Sequence, residues 1–132
     1  MEITIELDDW SLIPGPEKNP PLSSVAIEET VEISPDRFAA TVLSFPGFEQ
    51  VAEPDPDWWA WKAARHNMTI DMTLFETEPV TRGGSFLKGT CQLNKFLEFW
   101  DHLRTLSPGI WLHNTACEVL TPDMFLERTL SQ

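Results

Sequence analysis

The sequence predicts an α+β fold. One domain spans residues 1–132, with a mixed, mostly antiparallel sheet and one long helix packed on a face of it. Two observations carry that expectation. First, from Gln92 to Leu106 the residues Leu93, Phe96, Leu97, Trp100 and Leu103 recur at helical spacing, and Phe99 and Leu106 widen the stripe. Asn94, Glu98, Asp101 and Thr105 fall on the opposite side, so the helix is amphipathic with an apolar face broad enough to lie on a sheet. Second, several short stretches alternate apolar and polar residues, as half-buried strands do. A chain of 132 residues is the size of one domain and buries a core without covalent staples.

Met1 to Leu7 opens the chain with such an alternation, Ile3, Ile5 and Leu7 on one face and Glu2, Thr4 and Glu6 on the other. Pro14-Gly15-Pro16 and Pro20-Pro21 predict an extended loop that cannot pair in a sheet. Alternation returns from Ser24 to Ile33, with a slip at Glu28-Glu29 that suits a bulge. Ser34-Pro35-Asp36 opens a helix: serine caps, proline suits the first turn, and aspartate sits at the positive helix end. Phe38, Val42 and Phe45 form its apolar face, and Pro46-Gly47 closes it. Phe48 to Asp57 reads as loop. Asp57 then caps a short helix, Trp58 to His66, ending at Asn67.

Met68 to Glu78 reads as a strand and Ser85 to Thr90 as its hairpin partner, joined through a turn at Arg82-Gly83-Gly84. After the long helix, Ser107-Pro108-Gly109 stops the chain from continuing helical. Ile110 to His113 is expected to be a short buried strand. Asn114-Thr115 bends the chain, and Cys117 to Leu120 returns antiparallel. Thr121-Pro122-Asp123 opens a last helix carrying Phe125 and Leu126, repeating the capping grammar of Ser34-Pro35-Asp36.

The net charge of -12 is unevenly placed. Residues 1–60 hold 13 acids against Lys18 and Arg37, whereas residues 61–132 hold eight acids against seven bases. Such a surface repels nucleic acid and anionic membrane, and its natural complement is a basic protein. Simple solubility is the other account of the same charge. The start, Met1 to Trp10, has neither the basic nor the apolar region of a signal peptide, and no apolar run approaches the ~20 residues that span a bilayer. With two cysteines in no framework spacing, the expectation is a cytoplasmic protein with reduced thiols.

Little here resembles a reaction centre. Cys91, His102, His113 and Cys117 have the donor types for zinc but lack a tight CxxC pair, and the cysteines read equally as small buried residues. His113 beside Cys117 is the one local arrangement that would serve a small hydrolase or transferase, yet no oxyanion turn accompanies it. Arg82-Gly83-Gly84-Ser85 lacks the lysine and glycine spacing of a phosphate loop. The chain is therefore expected to have no catalytic residues, no metal and no cofactor.

The strongest local feature is Trp58-Trp59-Ala60-Trp61 beside Glu53, Asp55 and Asp57. On one short helix the three indoles point in more than one direction, so at least one reaches a surface. Tryptophan flanked by acids is a hot-spot composition for a basic partner.

The C-terminal third resembles small cytosolic immunity proteins of bacterial toxin systems. The likeness rests on Gly83-Gly84-Ser85, the Phe96-to-Trp100 helix, Trp111-Leu112-His113 and Thr121-Pro122-Asp123 with Phe125. It implies an antidote in interbacterial competition that binds and occludes its cognate toxin. The contact residues expected from charge and aromatic content are Glu28, Glu29, Glu32, Glu53, Asp55, Asp57, Trp58 and Trp59. An acidic adaptor or chaperone for a secreted effector fits the same charge and remains open at this point.

Overall fold

A computed structural model describes residues 3–8, 10–15, 34–51, 58–73, 85–107, 109–114 and 118–131. In chain order the elements are β1 (Thr4–Glu6), β2 (Trp10–Gly15), α1 (Pro35–Ser44), β3 (Phe48–Gln50), β4 (Trp58–Ala63), a 3-10 turn (Ala64–His66), β5 (Met68–Thr73), β6 (Ser85–Gln92), α2 (Leu93–Leu103), β7 (Gly109–Asn114), β8 (Val119–Leu120) and α3 (Pro122–Leu130). The fold is α+β, and every strand pairing among the described residues is antiparallel. The sheet order is β3-β4-β5-β6-β2-β7-β8, with β1 also on β6.

Both helix openings behave as their caps dictate. The Ser34 hydroxyl accepts from the Arg37 amide at 3.2 Å, and the Thr121 hydroxyl accepts from the Met124 amide at 3.3 Å. Each satisfies one of the amides that a helix start leaves unpaired. Helix α2 is shorter than the predicted Gln92–Leu106 span, and Leu106 is buried just beyond it. Leu93, Phe96, Phe99, Trp100 and Leu103 are buried, whereas Asn94, Glu98, Asp101 and Thr105 are exposed. The stripe meets a core of aromatics: Phe48 lies 4.7 Å and Phe45 5.3 Å from Phe99, and Phe125 of α3 lies 6.0 Å from Trp100.

The strands β1 and β2 run along the same side of β6 with a shift between them. From Glu6 to Ser11 there are five steps, opposite four steps from Thr90 to Phe86. One extra residue is accommodated there, as in a bulge. Gly89 sits at the break with φ +112, and the Asn67 carbonyl lies where a Cβ would project. Its amide donates to the Asp8 carboxylate at 2.9 Å, and its carbonyl accepts from Leu7 at 2.8 Å.

Three expectations are corrected. Trp58 to Ala63 is a strand, not a helix, so Trp59 and Trp61 share a face. Asn67 does end the segment, at φ 51, but it closes the 3-10 turn between β4 and β5. Phe48 to Gln50 is a strand rather than loop and pairs with β4. Pro14 and Gly15 belong to β2, opposite Ile110 and Gly109 of β7. Among the described residues β2 pairs with β6 at Ser11 and Leu12, and Pro14 pairs with β7. The opening alternation is real but short: Leu7 is buried, while Ile3 is 37% exposed. The predicted strand 24–33 and the turn 82–84 lie outside the described residues.

The sheet is buried on both faces over part of its width. Trp61, Ile70 and Leu87 pair in register on the face under the helices. Ala60, Ser11, Trp111 and Val119 are buried too, although strand alternation turns them to the other face.

Candidate functional site

Of the expected partner-binding residues, Trp58 and Trp59 are among the described residues, on β4 beside β3. Among the described residues β3 is the last strand at its end of the sheet, and β3 and β4 are antiparallel neighbours connected in the chain by residues 52–57. The pairing continues past β3, since the Val51 amide donates to the Ala60 carbonyl at 3.0 Å. Glu49, Gln50 and Val51 are exposed, Val51 at 51%. Glu53, Asp55 and Asp57 lie in the joining segment, outside the described residues, as do Glu28, Glu29 and Glu32.

Of the two tryptophans expected at the interface, Trp58 belongs to β4 opposite Thr73. Trp59 is half-buried and packs against the core, edge-on to Trp61 at 6.2 Å with the rings at 90°. Trp61 is fully buried and touches Phe38 of α1 at 5.7 Å. The edge hairpin is therefore anchored by aromatic side chains in the core. Its outer strand exposes Glu49, Gln50 and Val51, and a cleft of about 460 Å³ opens beside it, lined by Gly47, Val51, Lys62 and Arg65 among others.

Of the candidate chemical residues, Cys91, His102 and His113 are described. Burial pushes the Cys91 thiol up from 9.0 to about 11, so it is held neutral and is a poor nucleophile. The His102 Nε2 lies 2.9 Å from the Thr41 carbonyl and 2.8 Å from the Ser44 hydroxyl, which ties α2 to the end of α1. The His113 Nδ1 lies 3.4 Å from the Ser11 hydroxyl across the β2–β7 pair. Cys117 lies outside the described residues. Among the described residues no group of three or more histidines, cysteines and acids is placed to hold a metal.

One cluster escaped the reading of the sequence. Lys62 and Lys88 flank Thr69 in register on three adjacent strands, and Arg65 lies in the turn between β4 and β5. Lys88 is far from Lys62 along the chain, and only the strand register brings those two near each other. The one signal available beforehand was that seven of the nine bases fall after residue 60.

Among the described residues, no helix is long and apolar enough to cross a membrane. Comparison of the chain with family models, with curated proteins and with solved structures finds no match.

Proposed function

We propose that the chain is a cytoplasmic immunity-type inhibitor that binds a basic bacterial toxin and occludes its active site, with no catalysis of its own. The observation that carries this reading is the position of the acidic segment in the chain. In the sequence Glu53, Asp55 and Asp57 come between β3 and β4, and β4 is fixed by Trp59 and Trp61. The uneven charge supports the same reading. An excess of 11 negative charges in residues 1–60 steers a basic partner toward that half and raises the rate of encounter.

Among the described residues no strand pairs with the outer side of β3, and a strand edge of that kind accepts a further strand from a partner. The test is protection. Co-expression with the product of a neighbouring toxin-type gene should restore growth, and the two proteins should co-purify. Growth arrest that persists in the presence of the folded chain, with no complex formed, would remove the proposal.

A further inference from the structure

The short strand β1 pairs with β6 on one side, and its hydrogen bonds show which backbone groups that leaves. The Leu93 amide donates to the Ile3 carbonyl at 2.7 Å, and the Leu7 amide donates to the Gly89 carbonyl at 2.8 Å. Ile3, Ile5 and Leu7 therefore turn their amides and carbonyls toward β6, and Thr4 and Glu6 turn theirs the other way. Among the described residues no strand pairs with that outer side. Helix α3 does not close on it either. A groove of about 360 Å³ separates the two, with Ile3, Ile5, Trp10 and Phe125 as its apolar lining and Arg128 and Thr129 on the helix wall. We infer that this groove takes an extended peptide segment of a partner protein, which adds to β1 as a further strand and alternates apolar with basic side chains.

The backbone supplies the attachment, since unpaired N–H and C=O groups along a strand edge are a template for another chain. The three residues of β1 extend over about 10 Å, which matches three residues of an added strand. Alternation supplies the side-chain preference, because successive side chains of that strand turn to opposite faces of the sheet. On the face of Ile3 and Ile5 they meet Trp10 and Phe125, whose rings lie edge-to-face at 5.4 Å, and an apolar side chain fits there. On the other face they lie beside Thr4 and Glu6, both exposed. Among the described residues Glu6 has no ion pair, so a lysine or arginine opposite it gains a cross-strand partner. Arg128 does not oppose this, because it pairs with Glu118 at 2.5 Å and its guanidinium lies 5.9 Å from the centre of the Trp10 ring. The net charge of -12 favours the same basic segment at longer range. The inference does not rest on the antidote reading, which concerns the acids between β3 and β4.

The experiment is a nitrogen-15 amide titration of the whole chain with a capped six-residue peptide of alternating valine and lysine. One control is the valine-glutamate peptide. The other is the valine-lysine peptide N-methylated throughout, which keeps its side chains and charge but donates no backbone hydrogen bond. Saturable shifts at Thr4, Glu6 and Thr129 are expected, with hydrogen exchange of the Thr4 and Glu6 amides slowed at least tenfold. The N-methylated peptide should bind at least tenfold more weakly. Glu6→Lys should reverse the preference toward the valine-glutamate peptide and leave the melting temperature unchanged, since Glu6 is exposed. No saturable shift at millimolar peptide would overturn the site, and so would equal binding of the N-methylated peptide. Shifts confined to Glu49, Gln50 and Val51 of β3, or a free chain already paired with a second copy through β1, overturn it as well. No toxin enters the experiment, so its failure and that of the antidote reading are separate results.

Discussion

Trp100 donates its indole N–H to the carbonyl of Ile110 at 2.6 Å, and Ile110 stands opposite Pro14 in the β2–β7 register. Proline brings no N–H to that pair, and α2 supplies a donor to the carbonyl from the helix side. The long helix is thus attached to the sheet by a hydrogen bond as well as by its apolar stripe.

That bond distinguishes two equally buried indoles. Trp61 is as inaccessible as Trp100, but among the described residues its Nε1 has no hydrogen-bond partner. Replacing either by phenylalanine removes ring volume. Only Trp100→Phe also strips a donor from a buried carbonyl, a loss of about 1–3 kcal/mol. Chemical denaturation should therefore rank Trp100→Phe as the more damaging change. Equal costs would mean that the Ile110 carbonyl is satisfied in another way.

Gly89 should tolerate no side chain. Its φ of +112 is strained for any residue with a Cβ, and the Asn67 backbone occupies the space the Cβ needs. Backbone strain of this kind costs about 1–3 kcal/mol, and the overlap adds to it. Gly89→Ala is expected to lower the melting temperature sharply, whereas Gly47→Ala, with only the His66 ring at 3.7 Å, should cost less. Similar losses at both positions would contradict the close approach of Asn67 to β6.

Cys91 makes a prediction about alkali. Its thiol titrates near 11 in the folded chain against 9.0 ordinarily, because burial penalises the thiolate. The folded state therefore holds a proton that the unfolded state releases between those values. The stability this contributes is fully present below pH 9 and is lost as pH rises from 9 to about 11. Urea midpoints in a Cys117→Ser background should fall across that window and fall less in Cys91→Ala. In the same background, alkylation of Cys91 at pH 8 should be far slower than that of the denatured chain.

How much of this could be read in advance depends on the element. Both serine- or threonine-proline-aspartate openings were legible because capping is local chemistry, and α2 was legible because its outer side meets water. The segment from Trp58 to Ala63 was not. Ala60 is only 5% exposed on the face away from the helices, so burial on both sides erases the alternation of β4. Alanine, lysine and arginine nearby then favour a helical reading. Pro14 concealed β2 as well, because proline reads locally as a break and the pairing of this segment with β7 is a tertiary fact. The acidic half was plain from residue counts alone. The nearness of Lys62 and Lys88 was hidden, since they flank Thr69 only once β4, β5 and β6 are in register.

The central claim is that the acids joining β3 to β4 meet a basic toxin. Its most direct measurement is the salt dependence of binding between the co-purified toxin and the double charge reversal Asp55→Lys with Asp57→Lys. Weaker association with a shallower loss of affinity on adding salt is the expected result, the fold remaining intact by circular dichroism. Affinity and salt slope both equal to those of the unaltered chain would contradict it and move the interface away from this hairpin.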